Sequence, residues 1–308
     1  MNYVIYRYTF PSGVHFGEHS LVTSGETFLA DTLFSALCQE AVKRGEDTLN
    51  QLVLLAKEGK IQISDAFPYV GDVYLLPKPV LYIEGNNEKG NSILKKKFKK
   101  LTYVPESALS DFVCGHFSFE SVPDLGANII HETRAQVNLR GEEEAVPYRV
   151  GICRFREGSG LYILAGFADT GSERLFENLQ CALSFTGIGG ERSSGLGRFS
   201  VEMADVPKQL VKRLQNAGRV HMTLSVALPK DEEMEEALQG AHFMVLKRSG
   251  FVASDHYADT FRRKKDLYVF QAGSCFEKTF GGDVYDVSSG GAHPVYRYAK
   301  PMMLGVIE

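Results

Sequence analysis

The residues best suited to chemistry in this chain are concentrated between Gly187 and Arg198. This stretch, Gly-Ile-Gly-Gly-Glu-Arg-Ser-Ser-Gly-Leu-Gly-Arg, holds five glycines in twelve positions, together with two arginines and two serines. Because glycine has no Cβ, such a loop lets another backbone approach closely and adopts positive φ angles that turn N–H groups toward an anion. Guanidinium groups pair well with phosphate. The loop therefore predicts contact with phosphate groups.

The elements on either side of the loop indicate which kind of phosphate it meets. Leu161 to Phe167 has the pattern of a buried strand, and a helix with Ser172 as its expected cap follows. The apolar face of that helix consists of Leu175, Phe176, Leu179, Ala182 and Leu183. Strand-like alternation resumes from Leu196 to Met203. Nucleotide-binding loops precede a helix and use its positive N-terminus, whereas this loop follows one, so no nucleotide cofactor is expected. A glycine-rich helix end with no ligand is the alternative.

Composition excludes several classes of protein. With 308 residues, 44% hydrophobic and 23% charged, the chain is typical of a globular protein and long enough for two domains. A formal net charge of −4 argues against coating nucleic acid with the whole surface, so any such contact must be local. The sequence has neither a long apolar run nor a signal-peptide pattern, so we expect a cytoplasmic protein without membrane contact. Its five cysteines form no C-x-x-C pair, and no metal site is expected.

Strands and helices alternate through the first two thirds of the chain. Tyr3 to Phe10 reads as a strand, and a helix that ends at Gly45 follows it, with Asp31 in its first turn. The helix carries its apolar face on Leu33, Phe34, Leu37, Cys38, Ala41 and Val42. Strands at Lys60 to Ile63 and Val73 to Leu76 come next. The pattern predicts an α+β fold of the ferredoxin-like β-α-β-β-α-β type over residues 1–205, followed by a β-rich domain over residues 206–308.

Two insertions interrupt the first domain. The first, about residues 84–105, is a basic arm that carries the run Lys95 to Lys100 and reads as weakly ordered. Its lysines are either a solvated charge cluster or an RNA contact, and the same alternatives apply to Arg262 to Lys265. The second insertion, about residues 131–150, reads as a hairpin with its turn at Gly141 to Glu144. Alternation places Arg134, Asn138 and Arg140 on one face of the hairpin, with Val137 and Leu139 on the other.

Four segments together resemble a known protein family. They are the glycine loop continued to Phe199, Ala30-Asp-Thr-Leu-Phe-Ser-Ala-Leu37, Phe98-Lys-Lys-Leu-Thr-Tyr-Val104, and Asp283-Val-Tyr-Asp-Val287 with Pro294-Val-Tyr-Arg-Tyr298. The glycine loop after the last helix of a ferredoxin-like unit resembles the RAMP superfamily of CRISPR-associated RNA-binding proteins. The combination is similar, over essentially the whole chain, to subunit four of the type III-A (Csm) effector complexes.

This resemblance implies a non-catalytic subunit with two ferredoxin-like domains, the second degenerate, that serves antiviral defence in prokaryotes. Such subunits hold the 5′ repeat-derived handle of the CRISPR RNA (crRNA) and contact the large polymerase-like catalytic subunit and the first backbone RAMP subunit. The hairpin would be a thumb that intrudes between nucleotides. The implied RNA-binding residues are His15, Arg134, Asn138, Leu139, Arg140, Gly187, Gly189, Gly190, Arg192, Ser193, Ser194, Gly195, Gly197 and Arg198.

Other chemistry remains open at two positions. His15 and His19 have the spacing of a metal pair, but Gly17 between them disfavours the helix that such a pair needs. A metal-independent RNA endonuclease of the same superfamily would need a histidine as general base, and His15 is its candidate. Asp31 could cap its helix or, as in RNA-cleaving backbone subunits, act in cleavage; the capping interpretation is favoured. A protein scaffold that makes no RNA contact is a further alternative.

Overall fold

The computed structural model is a mixed α/β protein and describes residues 1–18, 20–83, 92–138, 146–215, 218–254 and 256–307. Its helices are α1 (Ala30–Arg44), α2 (Glu46–Lys57), α3 (Ser92–Lys100), α4 (Leu109–Val113), α5 (Leu125–Asn128), α6 (Thr170–Thr186), α7 (Lys208–Gln215) and α8 (Asp231–Ala237). The first eleven strands are β1 (Asn2–Thr9), β2 (Phe16–Gly17), β3 (Ser24–Gly25), β4 (Ile61–Ile63), β5 (Phe67–Val70), β6 (Val73–Pro77), β7 (Tyr103–Pro105), β8 (Ile129–Asn138), β9 (Val146–Phe155), β10 (Ser159–Phe167) and β11 (Ser200–Ala204). The remaining strands are β12 (Val220–Thr223), β13 (Val245–Arg248), β14 (Leu267–Phe270), β15 (Cys275–Phe276), β16 (Asp283–Asp286), β17 (Tyr296–Ala299) and β18 (Met303–Ile307).

The largest sheet has β1 and β10 at its centre. Its strand order is β11-β1-β10-β5-β6-β7, and β4 also pairs with β10. All these pairings are antiparallel. The C-terminal residues form a three-stranded sheet in the order β15-β12-β18 and the pairs β13-β14 and β16-β17.

Strand β10 is buried at every position, which explains why its sequence does not alternate. Its residues Leu161, Ile163, Ala165 and Phe167 pack in the core that includes side chains of α1 and α6. Tyr162 and Leu164 lie in a second core, together with side chains of α7, β12 and β18. The sheet therefore packs against α1 and α6 on one face and against α7, β12 and β18 on the other.

Three helices differ from their sequence-based predictions. Helix α1 ends at Arg44 before Gly45 as predicted, but Val42, assigned to its apolar face, is 56% exposed. Helix α2 was missed. The cap of α6 is Asp169 rather than Ser172, because the Asp169 carboxylate accepts the Ser172 N–H at 2.8 Å and Ser172 closes the capping box from inside the helix.

Part of the basic arm forms regular secondary structure. Residues 84–91 lie outside the described part of the chain, whereas the rest of the arm forms α3 and β7, and β7 pairs with β6. Phe98 of α3 packs its ring against Phe112, Phe117 and Phe119, with the Phe119 centroid at 4.7 Å. These aromatic contacts hold the helix, while the weak order inferred from the composition of the arm remains a prediction. Lys96, Lys97, Lys99 and Lys100 are exposed on it.

Candidate functional site

The glycine loop leaves the C-terminus of α6 and returns as β11. Gly187 ends the helix with φ +82°, and its N–H donates to the Leu183 carbonyl at 2.7 Å. The loop is closed on itself by the Ile188 N–H, which donates to the Gly197 carbonyl at 2.9 Å. Ile188 and Leu196 are both buried. The loop is thus held by its own apolar residues, and the strand predicted from Leu196 begins only at Ser200.

Several N–H groups of the loop are used inside the protein. Those of Gly187, Gly190, Gly195 and Gly197 donate to the carbonyls of Leu183, His15, Arg192 and Gly13, respectively, at 2.7–3.0 Å. The expectation that successive N–H groups converge on an anion is therefore wrong at these four positions. The exposed polar side chains of the loop are Ser193, Ser194 and Arg198. These side chains, together with half-buried Arg192, can reach a ligand.

Two glycines are required by close approach within the chain. A Cβ on Gly197, where φ is +78°, would lie 2.1 Å from the Ile188 carbonyl oxygen. A Cβ on Gly189, where φ is +94°, would lie 2.5 Å from the His15 carbonyl oxygen. At Gly195, where φ is +88°, the space that a Cβ would occupy is open. Much of the glycine content therefore serves packing of the loop against its own protein.

The hairpin of β8 and β9 contacts the loop directly. The Tyr148 hydroxyl lies 2.6 Å from Gln136 Oε1 across the hairpin and 3.3 Å from Glu191 Oε2 of the loop. Ser194 Oγ lies 3.4 Å from the same Gln136 oxygen. Below them, Leu196 packs with Val150 and Ile152 at the base of the hairpin. The loop and hairpin form one continuous site, and sequence patterns missed Gln136, Tyr148 and Glu191 because each acts through a partner that is distant in the chain.

The outer part of the hairpin is exposed on both faces. Arg134 is exposed, and Val137 on the opposite face is 51% exposed. Asn138 pairs with Val146 through its backbone, and its side chain is outside the described part of the structure. Leu139 and Arg140, together with the predicted turn at Gly141 to Glu144, lie outside the described residues.

His15 lies beneath the loop rather than at its surface. Its side chain is 4% exposed, and its Nδ1 lies 2.7 Å from the Gly151 carbonyl oxygen, so this nitrogen carries the proton and donates. A Cβ on Gly190 would lie 2.8 Å from Cδ2 of the His15 ring. His15 therefore packs between the loop and the base of the hairpin, while His19 lies outside the described residues.

Arg192 connects the loop to the first helix of the chain. Its guanidinium lies 3.5 Å from both the Gly187 carbonyl oxygen and Gln39 Oε1 of α1. These distances are at the limit of hydrogen bonding, so the side chain can leave both partners at little cost. Arg192 can therefore turn toward an anion without unfolding the loop.

Asp31 occupies a second charged cluster, at the start of α1. Arg248 donates to both of its carboxylate oxygens at 2.8 Å, and Arg297 donates to Oδ2 at 2.5 Å. Burial favours the neutral acid, but the two arginines outweigh this effect and hold the pKa of Asp31 below its usual value. The capping prediction is wrong, because this carboxylate ties α1 to strands β13 and β17.

Asp65 supplies the cap that Asp31 does not. Its Oδ1 accepts the Ala30 N–H of α1 at 2.7 Å and the Val226 N–H at 3.1 Å. Burial raises the pKa of Asp65 to about 7 against the opposing effect of these two hydrogen bonds. This carboxyl group therefore joins the start of α1 to the C-terminal part of the chain.

The described residues contain no cluster of three or more His, Cys, Asp or Glu side chains that could hold a metal ion. No helix in that part of the chain is long and apolar enough to cross a membrane.

Comparisons with known proteins agree with one another. Residues 216–306 match the family model of the CRISPR Csm4 C-terminal domain. The chain is 40% identical to the CRISPR system Cms protein Csm4 of Mycobacterium tuberculosis, covering 100% of this chain and 99% of that one, and 36% identical to the Streptococcus thermophilus protein of the same name, covering 98% of each. Among solved structures it is similar to a chain of a Csm3-Csm4 subcomplex of the type III-A CRISPR-Cas interference complex, with TM-score 0.67, 18% identity and 99% of each chain covered. A chain of a Csm1-Csm4 cassette in complex with AMPPNP gives TM-score 0.61 and 22% identity, with 99% and 98% covered.

Proposed function

The chain belongs to the Csm4 family, whose members are subunits of the Csm effector complexes of CRISPR systems, and from that premise we propose that it grips the 5′ repeat-derived handle of the crRNA. The observation that carries this proposal is the continuous site formed by the loop and the hairpin. The loop contributes Arg192 and Arg198 to this site and the hairpin contributes Arg134, so both components carry positive charge. RNA bound there would meet guanidinium and hydroxyl groups that suit phosphates and 2′-hydroxyls.

The first domain, in our proposal, is a ferredoxin-like unit. The order β11-β1-β10-β5, with β4 also beside β10 and with α1 and α6 on one face, is the antiparallel order of that fold. Residues 206–308 would form the second, degenerate unit. In this arrangement the hairpin is the thumb, and its tip, which includes Leu139 and Arg140, would intrude between nucleotides.

The proposed partners follow from the solved structures to which the chain is similar. Their names record one complex with Csm3 and one with Csm1. We propose that this chain likewise contacts a backbone RAMP subunit and the large polymerase-like catalytic subunit, and acts in antiviral defence in the prokaryotic cytoplasm.

The proposed role is non-catalytic. His15, the candidate general base of an RNA endonuclease, is almost fully buried, and its Nδ1 proton is committed to the Gly151 carbonyl. A general base must reach the proton that it abstracts, and a ring packed under Gly190 is poorly placed to do so. We therefore assign His15 a positioning role, in which it supports the loop that meets RNA.

The test is to replace Arg192 and Arg198 together by alanine in the reconstituted complex and to measure crRNA retention across a range of salt concentrations. Loss of two phosphate contacts to single-stranded RNA should weaken binding and reduce the slope of log K against log salt by about 1.4. Arg174→Ala, an exposed arginine on α6, is the matched control and should behave as wild type. Unchanged retention and slope in the double variant would favour a pure protein scaffold.

The endonuclease alternative has its own test. Repeat-containing RNA incubated with the purified chain in chelator should remain intact. Cleavage that disappears in His15→Ala would refute the non-catalytic role.

A further inference from the structure

The connection between β13 and β14 displays two phenylalanine rings to solvent. Phe261 is 90% exposed and Phe251 is 56% exposed. Their ring centroids lie 6.4 Å apart, with the planes at 78°. Exposed apolar side chains that lie side by side are more typical of interaction sites than are residues scattered singly.

The connection is anchored on both of its sides. Phe251 bridges to Arg263, the Val252 N–H donates to the Arg262 carbonyl at 2.9 Å, and the Lys264 N–H donates to the Gly250 carbonyl at 2.8 Å. Val252 is buried in a small cluster with Tyr257, Val287 and Val295. The phenylalanines are therefore held out by a framed segment, and their exposure does not arise from a lack of local structure.

Positive charge accompanies the two rings. The guanidinium carbon of Arg263 lies 5.5 Å from the Phe251 ring centroid, and Arg262 is also exposed. Among ion pairs between described residues, none uses either arginine, while Asp266 is taken by Lys247 at 2.7 Å. The same connection also contains the exposed carboxylate of Asp259. We call Phe251, Phe261, Arg262 and Arg263 the aromatic-basic patch.

We propose that the aromatic-basic patch is a second contact for single-stranded RNA, separate from the loop and the hairpin. Phe261 and the open part of Phe251 stack on unpaired bases, and the two arginines bind the adjoining phosphates. An aromatic ring accepts any base, so the contact tolerates any sequence. The patch extends the proposed RNA-holding function to the C-terminal part of the chain, and in that sense rests on it.

The observations favour RNA over a protein occupant because the exposed rings and the guanidinium groups occur together. Stacking surfaces beside arginines are typical of proteins that hold single strands without reading their sequence. A protein partner would bury the same rings, but it would need carboxylates to satisfy both arginines. The experiment separates the two occupants.

The experiment measures binding of a fluorescently labelled oligouridine RNA to the full-length chain by anisotropy, at several salt concentrations. Replacing Phe251 and Phe261 by alanine should weaken binding by about 5- to 150-fold for each base stack that is lost, with an unchanged salt slope. Replacing Arg262 and Arg263 by glutamine should instead lower the magnitude of the slope by about 1.4. Tyr268→Ala, an exposed aromatic residue on β14 outside the patch, is the matched control and should bind as wild type.

If the phenylalanine variant binds RNA as wild type does, while Arg192→Ala with Arg198→Ala weakens binding, the patch is refuted and the proposed function stands. If the phenylalanine variant keeps its RNA affinity but fails to join its partner subunits, the patch is a protein contact and the inference is wrong. If the wild-type chain binds no oligouridine RNA, the patch is refuted, while the proposed function is decided separately by crRNA retention in the reconstituted complex.

Discussion

Replacing Asp31 by asparagine tests whether the cluster at the start of α1 holds the two parts of the chain together. The substitution keeps the shape of the side chain and removes the only acidic group that Arg248 and Arg297 are seen to contact within the described residues. Arg297 is almost fully buried and Arg248 is largely so. Both guanidinium groups would then lie close together and desolvated without a counter-charge.

The expected loss is large because one partner of a buried ion pair is removed while the others remain. Such changes cost about 3–5 kcal/mol of unfolding free energy. The neighbouring amine of Lys264 adds to the repulsion, since burial and the charge of Arg297 already lower the pKa of Lys264. In the wild type, acid should have the same effect. The pKa of folded Asp31 is depressed, so its contribution is complete above the ordinary carboxyl pKa of about 4 and is lost as the pH falls through the folded value.

The assay is urea denaturation followed by circular dichroism at neutral pH. Asp266→Asn is the matched control, because Asp266 pairs with Lys247 at the surface and its loss should leave the midpoint almost unchanged. Adding Arg297→Met to Asp31→Asn should recover part of the loss by removing one orphaned charge. A loss below about 1 kcal/mol in Asp31→Asn would refute the reasoning, because that is the range of surface pairs.

Two further predictions concern the cap of α1 and the glycine loop. Since the pKa of native Asp65 is raised to about 7, the folded chain keeps a proton that the unfolded chain loses, so stability should fall as the pH rises from about 4 to 7. Asp65→Asn keeps the acceptor for the Ala30 and Val226 N–H groups and should flatten this part of the curve. If the wild-type urea midpoint changes between pH 5 and pH 8 by no more than that of Asp65→Asn, the assignment is wrong. Gly197→Ala meets the Ile188 carbonyl at 2.1 Å as well as an unfavourable φ, whereas Gly195→Ala meets only the latter. Thermal denaturation should therefore show a cost of about 1–2 kcal/mol for Gly195→Ala and a larger one for Gly197→Ala, and equal costs would refute the packing role.

Local sequence patterns were sufficient for the elements whose burial repeats regularly. The continuous apolar run from Leu161 to Phe167 predicted β10, and the three- and four-residue spacing after it predicted α6. Gly45 indicated the end of α1, because a glycine at positive φ commonly follows the last helical turn. The short strands β5 and β15 were missed, because a few residues carry too little periodicity.

The composition of the basic arm indicated its charge but not its aromatic packing. Its lysines predicted weak order and gave no sign that Phe98 packs against three phenylalanines that follow it in the chain. Those contacts hold α3, and Lys96, Lys97, Lys99 and Lys100 are exposed on it. A run of charged residues indicates which side chains face water but gives little information about the packing beneath them.

The sequence by itself determined the types of the candidate groups: a glycine-rich loop after a helix, two arginines within it, and a hairpin earlier in the chain. Tertiary structure decided what each group is free to do. It committed the N–H groups of Gly190 and Gly197 to internal carbonyls, buried His15, and gave Asp31 partners 217 and 266 residues away. Hydrogen bonding and desolvation depend on neighbours in space, and neighbours so far apart in the chain leave no local pattern from which their pairing can be read.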